Sequence, residues 1–304
     1  GSSPEKRPIR THLSGQKTSG LFFPIRQKGE RSLLVKGYPK GSPVGYLFQD
    51  NPFFILIFPG NWGKWYNEKM LEQNFWEKYF KVYDILNIVI PYQELMAELE
   101  KELDLNQEDI VLDVGSGTGN LMMRLKGKCK KAVGLDFSEE GIKIHKAKDP
   151  LAEVIFCDIT QKIPFSDNYF SKIVSNNTIY TLSREQQGNV LSRIYRVLKP
   201  GGKFVISNVK KKFSPIKIYA DHISKYMKKM GVIKTIILFF NLLSSTARMF
   251  YYNAKIKNSG LSKQYNFFEP GGQGRILKEA GFINISEEKF VYSNQAIMNS
   301  CYKP

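Results

Sequence analysis

The sequence predicts an α/β fold, a doubly wound and mostly parallel sheet of seven strands, and three observations carry that prediction. Between Asp109 and Val209, short apolar runs of β type alternate with helical patterns, as in a parallel sheet covered on both faces. The first of these runs ends in a glycine-rich turn, VLDVGSGTGN at 111–120. The last part, 273–303, reads as one helix followed by two closing strands.

Taken in order, residues 1–45 are rich in Ser, Gly, Pro and Lys, with SLLV as the apolar run, so they predict a loosely ordered arm with one short strand. In 46–66, turn residues bracket FFILIF, a strand-like run far too short to cross a bilayer as a helix. Asn67–Leu103 has helical spacing interrupted at Pro91, which predicts two helices. DIVLDVG, KAVGLDF, EVIFCDI, FSKIVSNN and GKFVISNV then supply five strands. NLMMRLKG, SEEGIKIHKAK with Ser138 as N-cap, and SREQQGNVLSRIYRVL supply the helices between them. No internal repeat is present.

Charge is unevenly placed. The 304 residues carry a net charge of +17. Residues 1–66 hold 10 Lys and Arg against 3 Asp and Glu, and 210–263 hold 12 against 1, so the rest of the chain is close to neutral. Basic segments of this kind attract an anionic partner, either nucleic acid or an anionic membrane. Cys129, Cys157 and Cys301 stand singly without a C-x-x-C pair, which argues against a zinc knuckle or a disulfide framework and for a reducing, cytoplasmic setting. The first residues lack an apolar stretch and read as a processed start rather than a secretory signal.

The chemistry concentrates at strand ends. Gly115, Gly117 and Gly119 let the chain turn sharply after the first strand, so that a ligand can lie against the main chain at a helix N-terminus. Asp136 ends the second strand, where a carboxylate accepts the hydroxyls of a ribose. Asp158 ends the third, placed to accept from an exocyclic amine. An adenosine-containing cofactor fits a crevice lined in this way.

These phrases, together with GLDFS, CDITQKIPFSDNYFSKIVSNNTIY, VLKPGGKFVISNV and EAGF, resemble the class I S-adenosylmethionine-dependent methyltransferases over roughly 75–209 and 270–302. The resemblance implies their Rossmann-like fold, S-adenosylmethionine as cofactor with S-adenosylhomocysteine as product, and no metal. It implies four parts: a basic extension at 1–66, a cofactor-binding core at 67–209, a basic helical cap at 210–268 and a closing segment at 269–304. It places Gly115 and Gly117 near the methionine part of the cofactor, with Asp113 and Gly119 in the same binding turn. Asp136 falls on the ribose, Phe137 against the adenine, Asp158 and Ile159 at the adenine edge, and Asn176 on the wall near the sulfonium. Ser171 departs from the Asp that many relatives carry, a change expected to act locally.

Within the family, FWEKYFKVYDILNIVIPY resembles the helix that covers the site in enzymes methylating quinone precursors and phospholipid head groups. Tyr79, Tyr83 and Asp84 are therefore candidates to touch cofactor or substrate. Tyr83, Asn176 and His222 are the candidate catalytic residues, His222 as a base or else an ordinary surface histidine. His145 is expected on the outer face of a covering helix. SNNTIY after the fourth strand lacks the N-P-P-Y-like phrase of methyltransferases acting on base amines.

The cap raises the question of the acceptor. KTIILFF, 234–240, sits in a segment mixing Lys with Ile, Leu, Met, Phe and Tyr. Its apolar runs are too interrupted to span a bilayer. It lies in the headgroup region of an anionic membrane, or its apolar side packs on the body and its lysines are solvated, or it forms a nucleic-acid surface. The expected acceptor is accordingly a lipid or amphiphile, such as a phospholipid amine or a prenylated ring. A soluble small molecule and RNA are the alternatives, and nucleic acid ranks last.

Overall fold

The computed structural model describes the backbone of residues 21–27 and 30–36, and residues 83–258 and 265–304 with their side chains apart from 244, 245, 249 and 252–258. FFILIF, the first helix expected after Asn67, and Tyr79 lie outside the described residues. The chain divides into two units, Gly1–Leu71 and Glu72–Pro304.

In the first unit, β1 (Leu21–Gln27) and β2 (Glu30–Lys36) pair antiparallel from Leu21↔Lys36 to Gln27↔Glu30. SLLV lies in β2. A partner strand β1 was not expected, because Pro24 interrupts its apolar run; in a two-stranded ribbon each strand is an edge, where Pro is tolerated.

In the second unit the described residues open with a 3-10 turn, Asp84–Ile88, and α1 (Ile90–Leu103). Pro91 stands in the first turn of α1, where its missing N–H leaves no helical bond unmade. The core then runs β3 (Ile110–Val114), α2 (Asn120–Leu125), β4 (Lys131–Asp136), α3 (Glu139–Lys148), β5 (Glu153–Phe156), β6 (Phe170–Asn176), α4 (Arg184–Val197) and β7 (Leu198–Val209). Ser138 caps α3, accepting from Gly141 N at 3.1 Å. Ser183 and Gln186 close a capping box on α4. α5 (Pro215–Met230), α6 (Val232–Asn258), α7 (Gly272–Glu279), β8 (Lys289–Val291) and β9 (Ala296–Tyr302) complete the unit.

The seven strands lie in the order β5-β4-β3-β6-β7-β9-β8. β3 to β7 pair in parallel and β9 runs antiparallel between β7 and β8. The sheet matches the expected class, doubly wound, seven-stranded and mostly parallel. Side chains alternate between two cores, as a pleated strand buried on both faces requires. Leu112, Ile173 and Phe204 pack under Val190 and Ile194 of α4 and Leu277 of α7. Val111, Val174 and Val205 pack under Leu95 and Leu99 of α1 and Leu121 of α2. Strand order reverses between β3 and β6, so the carboxyl ends of those strands open a crevice, the usual ligand position in a doubly wound sheet.

Ser171 lies at the other end of β6. Its hydroxyl donates to Asp109 Oδ1 at 2.7 Å and accepts from Ile110 N at 3.0 Å. Its described contacts are thus local.

Candidate active site

The turn from β3 to α2 is shaped by glycine. Gly115, Gly117 and Gly119 have φ of +83°, +52° and +78°, a region that L side chains avoid. A Cβ on Gly115 would lie 2.0 Å from Thr178 Oγ1, and one on Gly119 would lie 2.2 Å from His145 Cδ2. Gly119 is therefore required by packing between the turn and α3. His145, expected on an outer surface, is fully buried. The helical pattern of α3 shows an inward face, but not that Gly119 leaves a hollow deep enough for an imidazole ring. Neither ring nitrogen has a hydrogen-bond partner among the described residues, and burial lowers the pKa of the ring.

Asp136 holds the turn to its neighbour strand. Its Oδ2 accepts from Gly117 N at 2.7 Å and its Oδ1 from Ser138 N at 2.8 Å. Each oxygen keeps a further lone pair for a ligand hydroxyl. Burial pushes the carboxyl up to about 6 against the lowering effect of these backbone bonds. Asp113, one strand over, is buried and accepts no hydrogen bond among the described residues. Burial, and then the charge of Asp136, push it up to about 7.

This raised pKa has a sign. A carboxyl whose folded pKa lies above its unfolded value favours folding below the unfolded pKa, and that contribution is lost as pH rises through the folded pKa. The cofactor-free chain is expected to melt lower as pH rises through about 7. Asp113→Asn is expected to flatten that slope, raise the melting temperature on its alkaline side, and weaken cofactor binding. Thermal melts across pH, with and without S-adenosylhomocysteine, check all three.

The far wall is the end of β6. Asn176 Oδ1 and Asn177 Oδ1 are buried without a hydrogen-bond partner among the described residues. Asn177 takes φ +54° and donates its N–H to Ser207 O at 2.7 Å. Beyond β4 and β5, Phe137 is 40% exposed while Ile159 is buried. Asp158 Oδ1 accepts from Thr160 N at 3.0 Å and Thr160 Oγ1 at 2.6 Å, closing its own turn.

Asp84 binds the glycine turn from above. Its Oδ1 accepts from Thr118 Oγ1 at 2.7 Å and from Lys148 Nζ at 2.8 Å. Lys148 also donates to Thr118 O at 2.9 Å and to Asn120 Oδ1 at 2.6 Å. Lys148 was not singled out in the sequence; at the end of a covering helix it looks like one of many solvated lysines. Next to Asp84 begins an aromatic chain. The Tyr83 and Tyr92 rings meet edge-on at 6.1 Å, Tyr92 meets Tyr292 at 6.1 Å, and Tyr292 meets Phe213 at 6.5 Å. Tyr180, just past β6, stacks on Phe267 at 5.2 Å. The Tyr92 hydroxyl accepts from Asn120 Nδ2 at 3.3 Å. Burial pushes the Tyr180 hydroxyl up to about 12 and raises that of Tyr292 as well. Tyr92, Tyr180 and Tyr292 stand far apart in sequence with no shared motif, so only the fold joins them.

His222 is a buried residue of α5, not the surface histidine that was the other reading. Ile90 N donates to its Nδ1 at 3.2 Å, while Nε2 is buried without a hydrogen-bond partner among the described residues. Burial lowers its pKa. The Ile90 contact requires Nδ1 to be the unprotonated nitrogen, which puts the ring proton on Nε2. In that tautomer Nε2 donates and does not accept a proton, so the arrangement does not suit a base.

The crevice therefore offers a side-chain-free turn, a buried carboxylate at the ribose position, an exposed aromatic beside it and two unpartnered amide oxygens opposite. This set fits S-adenosylmethionine: hydroxyls for Asp136, an adenine ring for Phe137, and an amino group for the Asn176 and Asn177 oxygens. No cluster of three or more His, Cys, Asp or Glu among the described residues is arranged to hold a metal ion.

Comparison with known proteins agrees. Residues 112–206 match a family model described as a methyltransferase domain. A demethylmenaquinone methyltransferase of Chlorobaculum parvum is 27% identical over 220 residues, covering 69% of this chain and 83% of that protein. One from Bacillus cereus is 30% identical over 139 residues, covering 42% of this chain and 58% of its own length. Among solved structures, a SAM-dependent methyltransferase of Thermotoga maritima shares the fold with a TM-score of 0.51 at 17% identity, covering 76% of this chain and 99% of that one. The chain carries a methyltransferase domain at 112–206 and has the fold of the S-adenosylmethionine-dependent methyltransferases. It is an enzyme of methyl transfer, and S-adenosylmethionine is its cofactor.

Proposed function

We propose that the enzyme methylates a lipid or amphiphile whose reacting head is a planar ring, while in peripheral contact with an anionic membrane. The carrying observation is the aromatic wall of Tyr83, Tyr92, Tyr292 and Phe213, which starts at the glycine turn through Asn120. Aromatic faces and edges suit a flat apolar ring, and buried hydroxyls seek a polar partner on it. The relatives named demethylmenaquinone methyltransferase support a prenylated ring over a phospholipid amine.

When bound, S-adenosylmethionine supplies an electrophilic methyl on its sulfonium. The chain's own residues bind, orient and exclude water, which is most of what a direct displacement needs. Asp136 would accept the ribose hydroxyls, Phe137 would face the adenine, Asp158 and Ile159 would border it, and Asn176 and Asn177 would accept from the amino group. Asp84 and Lys148 pin the turn, so that Tyr83 stands over it. Tyr180 and Tyr292, held protonated, donate to an oxygen of the acceptor and favour its anionic form.

Tyr180→Phe is expected to lower kcat about 10- to 150-fold, the scale for one hydrogen bond to a charged group, with cofactor affinity unchanged in calorimetry. The assay for the acceptor class incubates the enzyme with methyl-labelled S-adenosylmethionine and, separately, a detergent-dispersed lipid extract, aqueous metabolites and total RNA. Label extracted with the lipids is the expected result; label only in metabolites or RNA would overturn the proposal.

A further inference from the structure

We infer that the elbow between α5 and α6 is the face that docks on an anionic lipid bilayer; this rests on the lipid-acceptor reading and names its surface. α5 is anchored on its inner side. Lys225 pairs with Glu94 at 2.6 Å, Ser293 Oγ donates to Asp221 Oδ2 at 2.6 Å, and Ile90 binds His222. At Gly231, φ +84° turns the chain into α6. From there the apolar residues face outward. Ile233 is 76% exposed, Ile236 51%, Ile237 55% and Phe240 67%. Residues 233, 237 and 240 form one row along the helix, and 232, 236, 239 and 243 form the row beside it. Met227 and Met230 extend the patch across the elbow, also exposed. Beneath it lies an open hollow of about 310 Å³ bordered by Met227, Val232, Ile236, Phe239 and Phe240.

In KTIILFF, Thr235 is thus turned inward while Ile236, Ile237, Phe239 and Phe240 are exposed. Contiguous exposed apolar patches mark contact surfaces, and the charge around this one selects the partner. Lys228, Lys229 and Lys234 border it, all exposed and without an ion pair among the described residues. The single acid of 210–263, Asp221, is already engaged by Lys225 and Ser293. An apolar stripe flanked by lysines is complementary to acyl chains beneath anionic head groups. No helix among the described residues is long and apolar enough to cross a membrane, so the contact lies in the interface.

Co-sedimentation with phosphatidylcholine vesicles, with and without phosphatidylglycerol, tests the surface. The wild-type chain is expected to prefer the anionic vesicles. Ile233→Ser, Ile237→Ser and Phe240→Ser together should reduce vesicle binding at least about 10-fold, while melting temperature and S-adenosylhomocysteine affinity hold. Lys228→Glu, Lys229→Glu and Lys234→Glu should remove the anionic preference, at about fivefold per lysine. Undiminished vesicle binding, a serine variant that unfolds, or a wild-type dimer that the serine variant splits would each overturn the inference, the last by showing a second copy on the patch. Labelling of dispersed lipid extract separates the two claims. If the serine variant loses vesicles but still labels dispersed lipid, both stand. If the wild type binds vesicles through the stripe but labels no lipid, the surface stands and the acceptor reading falls.

Discussion

Replacing Gly119 with Ala is expected to destabilise the chain by about 2–5 kcal/mol, the sum of a positive-φ strain and an overpacked contact. The new Cβ would lie 2.2 Å from His145 Cδ2 at φ +78°. The ring cannot easily move away, since it is fully buried in α3. The double variant Gly119→Ala with His145→Ala should lose less than the two single variants added together, because one clash is removed while the backbone strain stays. Urea unfolding of the four chains measures the coupling. A Gly119→Ala chain as stable as the wild type would mean that the ring swings aside and that the turn is held by other contacts.

Asp136→Asn is expected to weaken S-adenosylmethionine about 10- to 150-fold, corresponding to about 1.5–3 kcal/mol for a hydrogen bond to a charged group. The carboxylate must be ionised to accept two hydroxyls while holding Gly117 N and Ser138 N. Its pKa in the cofactor-free protein is raised to about 6. Hydroxyl donors favour the ionised form, so binding lowers that pKa and expels a proton on the acid side. Affinity in the wild type should therefore fall as pH drops through about 6, whereas the Asn variant should show a flatter profile in that window. Equal steepness in the two proteins would assign the pH dependence to another group, Asp113 first.

What was legible in the sequence depended on how local the signal was. The sheet showed itself because each strand is a short apolar run punctuated by its own turn, and the order of runs admits few topologies. The glycine turn, Asp136 and Asp158 were legible for the same reason, since each ends a strand that announces itself. Side chains meeting across distant segments were not. Tyr92, Tyr180 and Tyr292 join only when α1, the end of β6 and the turn before β9 converge. Lys148 and His145 were misjudged because a three-turn helix shows its inward face in sequence but not what waits there. The tautomer of His222 depends on one N–H at the start of α1, more than a hundred residues away. For KTIILFF the pattern left three readings open, a packed cap, a membrane-facing stripe and a nucleic-acid surface, because sequence shows an apolar side but not whether Ile237, Phe240 and the neighbouring Ile233 are exposed, as they are.

The most direct test of the whole account is a calorimetric titration of the wild-type chain with S-adenosylhomocysteine, beside Asp136→Ala. The account predicts one equivalent bound by the wild type, with the variant weakened at least about 10-fold and its fold intact. No binding by a folded wild-type chain, or equal affinity in the two proteins, would contradict it.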